Sequence, residues 1–425
     1  MRANDSKATK TRRGSRPPIA SKVVFLTGAG ASVPLGLPDT KGFLETFFHR
    51  DARELQAKSP DLEEYLRQLY VESLAGEWDV ETMMDVLVGD RTAADRLMLR
   101  PGFVKRALNG YQLGPGPFVA DTDAILELLR DNLVRQYSRV DAAQAADLYR
   151  PILQDFGMWF SDVPNLGRTV VIFTLNYDLA VETASRALQR RDPNHSDALP
   201  VELVDGLGDQ DGEIGRRWSA RAFREYRAVR GRSNVVLVKL HGSVRWGQSA
   251  AEPGAIVELP VGVQRDPAPY DTLVLYPTAG PKPIQHEPFH TGYRLLASCL
   301  GHTRLLVAIG TSFRDAELCL LIRDAMEDNP LLRLVAVGPH QTHTQVAARL
   351  GVDIARVAAL KAEFSFPTKG KHDNAERPTY NSVMGGTRDL ASIAYGVKTY
   401  PGGPRFGKTS VLGDDGLWRE DETES

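Results

Sequence analysis

Short, unbroken apolar runs punctuate the chain at 23–27 (VVFLT), 169–175 (TVVIFTL), 235–240 (VVLVKL), 272–276 (TLVLY), 304–309 (RLLVAI) and 332–337 (LRLVAV). Continuous rather than alternating apolarity suits strands covered on both faces of a parallel sheet. Helical patterns follow several of these runs, over 178–190, 313–327 and 341–350. The alternation predicts a doubly wound parallel sheet, an α/β fold of Rossmann-like type. Between the first two runs the strand pattern lapses. Helical periodicity takes its place through Val80, Met83, Met84 and Leu87 and again through Ile125, Leu128, Leu129, Leu133 and Tyr137. We read this stretch, about 41–165, as a helical subdomain inserted into the sheet.

Polarity sets the remaining boundaries. Residues 201–234 are polar and rich in Gly and Arg, which predicts a long loop or hairpin beside the sheet. After residue 366 the sequence turns to Gly, Pro and charge, and periodicity fades. The expected organisation is a basic disordered tail over 1–21, a nucleotide-binding unit over 22–365, and a weakly ordered or partner-dependent segment over 366–425.

Composition narrows the function classes. The chain has 425 residues, 42% of them hydrophobic, which suffices for a sizeable core. Its formal net charge of −2 gives no overall attraction to nucleic acid or to an anionic membrane. Residues 1–22 carry seven Lys or Arg against Asp5 alone, but they lack interleaved aromatics, so nucleic-acid binding is not indicated. Cys299 and Cys319 are the only cysteines, too few for a disulfide framework or a four-cysteine zinc site. That count, the absence of an apolar h-region behind the basic N-terminus, and the lack of a long uncharged apolar run predict a cytoplasmic protein with no signal peptide and no membrane span.

The first apolar run ends in Gly28-Ala29-Gly30-Ala31-Ser32. A strand that turns on small residues into a helix presents backbone N–H groups and a positive helix end, which suits a pyrophosphate. Val33 replaces the third glycine of the dinucleotide fingerprint, and no acidic residue ends a second strand about 20 residues on. Hydride transfer is therefore disfavoured. Later runs end in Thr174-Leu175-Asn176-Tyr177-Asp178, Lys239-Leu240-His241-Gly242-Ser243 and Gly310-Thr311-Ser312. Taken singly, Asn176 and Asp178 read as helix caps, His241 as a turn histidine and Gly310–Ser312 as another N-cap. Taken together, they gather an amide, an imidazole, hydroxyls and a phosphate cradle where the carboxyl ends of parallel strands meet.

These motifs, with Gly36-Leu37-Pro38-Asp39, stand in an order that resembles the sirtuin family over about 22–340. The resemblance implies NAD+ bound as substrate and cleavage of its nicotinamide–ribose bond. Two departures shape the expectation: two cysteines cannot build the family's zinc module, and Thr40-Lys41 follows Pro38-Asp39 where deacylases carry Phe-Arg. The chain looks more similar to the zinc-less bacterial sirtuin-like NADase effectors of antiphage defence. Those commonly work as oligomers or beside an ATPase or sensor partner.

On this resemblance, Asn176 holds the ribose hydroxyls or a water, and His241 accepts a proton near neutrality. Gly28, Ala29, Gly30, Ser32, Thr174, Gly310, Thr311 and Ser312 bind phosphates and ribose, with Asp39 or Asp178 orienting the nicotinamide end. The competing expectations are an NAD-dependent deacylase or ADP-ribosyltransferase and a non-catalytic module that senses NAD or ADP-ribose.

Two further motifs match in letters only. His286-Glu287-Pro288-Phe289-His290 has zinc-protease spacing, but Pro288 opposes the continuous helix that pattern needs. GGPRFGKT at 402–409 has P-loop spacing without a buried strand before it or an apolar helix after it.

Overall fold

The computed structural model describes residues 19, 21–48, 115–156, 168–190, 198–210, 216–249, 255–259, 270–274, 285–338 and 341–360. It also describes scattered positions between 65 and 90 and short pieces at 405–406, 410–412 and 418–419. In chain order the strands are β1 (Val23–Thr27), β2 (Arg168–Thr174), β3 (Val201–Val204), β4 (Leu207–Gln210), β5 (Arg216–Trp218), β6 (Ser233–Lys239), β7 (Gly242–Ser249), β8 (Ile256–Glu258), β9 (Tyr270–Val274), β10 (Leu305–Ile309), β11 (Arg333–Val337), β12 (Val357–Leu360), β13 (Arg405–Phe406), β14 (Ser410–Leu412) and β15 (Trp418–Arg419). The helices are α1 (Thr40–Thr46), α2 (Pro115–Tyr137), α3 (Ala142–Arg150), α4 (Ala180–Ala187), α5 (Arg221–Arg224), α6 (Phe289–Leu300), α7 (Ala316–Asp328) and α8 (His343–Leu350).

Seven strands form one sheet in the order β12-β11-β10-β1-β2-β6-β3, and every neighbouring pair is parallel. Alternation along each strand divides the core between two layers. Val23, Phe25, Ile172, Leu237 and Val307 face one cluster with Phe43 of α1, Leu129 of α2, Ala145 of α3 and Val181 of α4. Val24, Leu26, Phe173, Val236 and Leu306 face the other with Leu296 of α6, Ile322 of α7 and Val346 of α8. Helices on both faces explain why these strands read as continuous apolar runs. The predicted doubly wound sheet is the fold.

Three expectations are corrected. The run at 272–276 overlaps β9, which belongs to a separate five-stranded sheet, β4-β5-β8-β7-β9, antiparallel at each pairing. The region expected as a long loop or hairpin, 201–234, does hold an antiparallel pair, β4 with β5, but it also supplies the edge strand β3 and the start of β6 of the main sheet. Its strands are short and half-buried, with Arg216 bonded to Asp205 at 3.1 Å and to Glu258 at 2.7 Å, so their sequence reads as polar. Edge strand β12 was not expected at all. Its VAAL stretch is too short and too weakly β-branched to stand out.

Among the described residues, Ile19, inside the basic stretch, is already packed: its side chain is buried and its carbonyl accepts from Cys299 Sγ at 3.4 Å. The stretch between β1 and β2 contributes α1, α2 and α3 to the core; most of the Val80–Leu87 stripe's neighbours lie outside the described residues. α6 starts at Phe289, so His286 precedes the helix and the two histidines of the protease-like motif do not share one helical face. At the P-loop-like motif, β14 pairs antiparallel with β13 at the place where a P-loop would open a helix. Among the described residues, no helix is long and apolar enough to cross a membrane.

Candidate active site

The strand order reverses at β1, whose neighbours β2 and β10 lead to opposite halves of the sheet. In open parallel sheets such a reversal opens a crevice at the carboxyl ends. Register levels the strand ends there: Thr27 lies beside Thr174 and Ile309, and Thr174 lies beside Lys239. Asn176 and His241 therefore each stand two residues past one register pair, on adjacent strands. Gly28 and Gly310 each follow the last residue of the pair Thr27 and Ile309.

The glycines let the two loops touch. A Cβ on Gly310 would lie 2.2 Å from the Ala31 nitrogen, and one on Gly28 would lie 2.7 Å from the Gly310 oxygen. Gly310 also takes a left-handed φ of 64°. The Gly28 and Gly30 N–H groups donate to the Ile309 and Gly310 carbonyls at 2.9 and 3.1 Å. The expected single helix after the turn is replaced by two 3-10 turns, Ala29–Ala31 and Val33–Leu35, and α1 starts only at Thr40. These glycines thus serve mainly to close one loop on the other. We predict that Gly310→Ala lowers stability by about 3 kcal/mol, because backbone rather than a flexible side chain blocks the new methyl. Chemical denaturation checks this, and a change under about 1 kcal/mol would contradict it.

Asn176 is buried and does not cap the helix after it. Its Nδ2 donates to the Gly28 carbonyl at 2.9 Å and to Ser32 Oγ at 3.0 Å, across the crevice. Its backbone N–H donates to Thr174 Oγ1 at 3.0 Å, and that oxygen accepts from Thr27 Oγ1 at 2.8 Å. With the amide hydrogens engaged, Asn176 offers a ligand its Oδ1 acceptor. Asp178 does bond the first turn of α4, accepting from the Ala180 N–H at 2.9 Å.

The Asp178 carboxyl and the Tyr149 hydroxyl of α3 both lie close enough to Ser32 to be influenced by its hydroxyl, so the helices between β1 and β2 reach the site. Burial raises the Asp178 pKa, opposed by the Lys239 ammonium and the Ser32 and Ala180 bonds. Tyr149 is likewise pushed up by burial, reinforced by Asp178, and stays a neutral hydroxyl. Below them the buried Lys239 ammonium lies 2.8 Å from Glu182 Oε1 and donates to the Asp178 carbonyl.

His241 follows β6 and is almost wholly buried. Its Nε2 lies 2.9 Å from Asp315 Oδ2, and the Tyr293 hydroxyl is 3.4 Å from each of those atoms. The Tyr177 ring lies against the imidazole, with centroids 6.4 Å apart.

No family model matches the chain, and no curated protein matches it. Among solved structures it is similar to a Sir2 homologue triple mutant in complex with 2′-O-acetyl ADP ribose (13% identity, 89% of this chain, 94% of that chain, TM-score 0.36). It is also similar to a Sir2 homolog–NAD complex (13% identity, 88% of this chain, 91% of that chain, TM-score 0.34).

The remaining expected residues divide. Thr311 is buried, and its Oγ1 has no hydrogen-bond partner among the described residues. Its carbonyl accepts from Gln341, whose Oε1 is also buried and unpartnered. Two orphaned polar atoms beside a glycine cradle fit a polar ligand that completes them. Ser312 is exposed, and its carbonyl accepts from Arg349. Asp39 is exposed and caps α1, with Oδ1 accepting from the Gly42 N–H at 2.7 Å. The adjacent Pro38 carbonyl accepts from Tyr137 of α2 at 3.0 Å. The sequence reading missed Tyr149, Glu182, Tyr293, Asp315 and Gln341. Asp315 lay within reach, as the acidic residue closing the loop that Gly310-Thr311-Ser312 opens.

Proposed function

We propose that the protein is a sirtuin-like NAD glycohydrolase that converts NAD+ and water to nicotinamide and ADP-ribose. The observation that carries this reading is Asn176, buried at the reversal point with its amide anchored to Gly28 and Ser32, while His241 stands at the same level on the neighbouring strand. Thr311 and Gln341 supply buried, unpartnered oxygens on the other side of β1 for the nucleotide.

In the reaction the bond between ribose C1′ and the pyridinium nitrogen breaks, and nicotinamide leaves with the electron pair, which neutralises its ring. A water oxygen then bonds to the cationic C1′, and its proton passes to His241. Asn176 Oδ1 orients the ribose hydroxyls or that water, so the acceleration comes chiefly from positioning.

Antiphage defence through NAD depletion in the cytoplasm, self-association, and an ATPase or sensor partner belong to the same proposal, supported by the motif resemblance. Purified protein incubated with NAD+ should release nicotinamide without any acyl-lysine or acceptor protein. Release that depends on such an acceptor would favour the deacylase or ADP-ribosyltransferase reading. Tight NAD+ binding without turnover in any assembly state would favour the sensing module.

A further inference from the structure

The polar partners of His241 come from outside the expected motifs. Its Nε2 and Asp315 Oδ2 meet at 2.9 Å with both side chains buried, at 4% and 7% exposure. The other oxygen of the same carboxylate accepts from the Leu318 N–H at 3.0 Å and so caps α7. Tyr293 OH donates to Oδ2 at 3.4 Å. Burial, Asp315 and Glu317 raise the Tyr293 pKa, so it remains a neutral donor.

We propose that Asp315 is a positioning residue that fixes the tautomer of His241 and ties it to the loop that follows β10; this rests on reading His241 as the base. An ionised carboxylate only accepts hydrogen bonds, so the proton of the neutral imidazole sits on Nε2 and the basic lone pair is on Nδ1. The cap prevents the carboxylate from turning away, because rotation would break the bond to Leu318.

The loop itself is braced. Gly310 at φ 64° and Phe313 at φ 53° are both left-handed, and Phe313 is the only non-glycine with positive φ among the described residues. Phe313 is buried in the helical layer that holds α6 and α7, and Gly310 is wedged on Gly30. A non-glycine residue in this conformation costs of order 1 kcal/mol and persists where the surroundings fix it. Thr311 and Asp315 therefore belong to one stiff segment, and a ligand that completes Thr311 is mechanically joined to the atom that orients His241.

The test uses Asp315→Asn, in which the amide oxygen keeps the α7 cap and Nδ2 then faces the imidazole. Nε2 must accept that bond, so the ring proton moves to Nδ1. Nitrogen-15 NMR of the histidines, with the His241 signals assigned by their loss in His241→Gln, should show the Nε2–H form in wild type and the Nδ1–H form in Asp315→Asn. Nicotinamide release should fall roughly 100-fold in kcat with KM within about threefold, as expected when a base is present in the wrong tautomer. Asp315→Ser, which also caps a helix, should lose kcat by a similar factor. The same tautomer in wild type and Asp315→Asn, or a kcat within about threefold of wild type in both variants, overturns the proposal. If wild type releases no nicotinamide in any assembly state, the glycohydrolase reading fails, and the tautomer comparison alone still decides the role of Asp315.

Discussion

Asn176→Ala should lower nicotinamide release from NAD+ by roughly a thousandfold, the loss typical of removing a preorganised polar group from a buried reacting centre. Its side chain is the polar group that the fold places most deliberately at the reversal point, reaching Gly28 and Ser32 rather than the helix beside it. Truncation removes Oδ1 from the crevice and leaves the Gly28 carbonyl without that donor. The second effect costs stability by about 1–3 kcal/mol, so rate and stability must be measured together.

Asn176→Asp separates the two effects. It keeps the shape and the acceptor but cannot donate to Gly28, and it brings a carboxylate near buried Asp178. A folded Asn176→Ala protein with a rate within about tenfold of wild type would remove Asn176 from the chemistry. So would a rate loss explained entirely by the unfolded fraction.

The parts of this arrangement that the sequence shows are those set by local pattern. β1, β2, β6, β10 and β11 are apolar throughout because helices cover both faces, and Asn176, His241 and Thr311 are recognisable because they follow such strands directly. β3 and β12 sit at the two edges of the sheet, where a single neighbour leaves short strands with weak signals. β9 has the composition of a core strand yet pairs antiparallel with β7, and only the partner reveals this.

The second tier of the site is invisible for the same reason. Tyr149 comes from the inserted helices, Tyr293 from α6 and Asp315 from a loop end, and each acts through a contact made by folding, 52 residues from His241 for Tyr293 and 74 for Asp315. Gly28 shows the converse. Its presence was legible, but its N–H donates to Ile309, so its use is to admit Gly310 rather than to bind phosphate through that group.

Lys239→Met should destabilise the protein by about 3–5 kcal/mol, the range for removing one partner of a buried ion pair. Lys239 ends β6 with its side chain 2% exposed, opposite Glu182 at 8%. Its ammonium also lowers the Asp178 pKa against the upward push of burial. Without it, the buried Asp178 and Glu182 carboxylates lose the cation that acts on both, and the charge of Glu182 itself raises Asp178.

The sign of the pH dependence follows from Asp178. Its folded-state pKa is already raised above the unfolded value, so its contribution is present below the unfolded pKa and is lost as pH rises through the folded one. Losing Lys239 raises the folded value further. The deficit of Lys239→Met should then be larger at about pH 8 than at about pH 5, where an unfolded aspartate near pKa 3.9 is closer to its own titration.

Lys239→Met with Glu182→Leu should recover most of the loss, because an apolar pair of similar volume avoids burying an unpaired charge. Urea unfolding of the two single variants and the double variant measures the coupling. A double variant as unstable as the sum of the singles would mean that Lys239 acts on something other than Glu182. The remaining candidates are both on Asp178, its carboxylate, whose pKa the ammonium lowers, and its carbonyl, to which the ammonium donates.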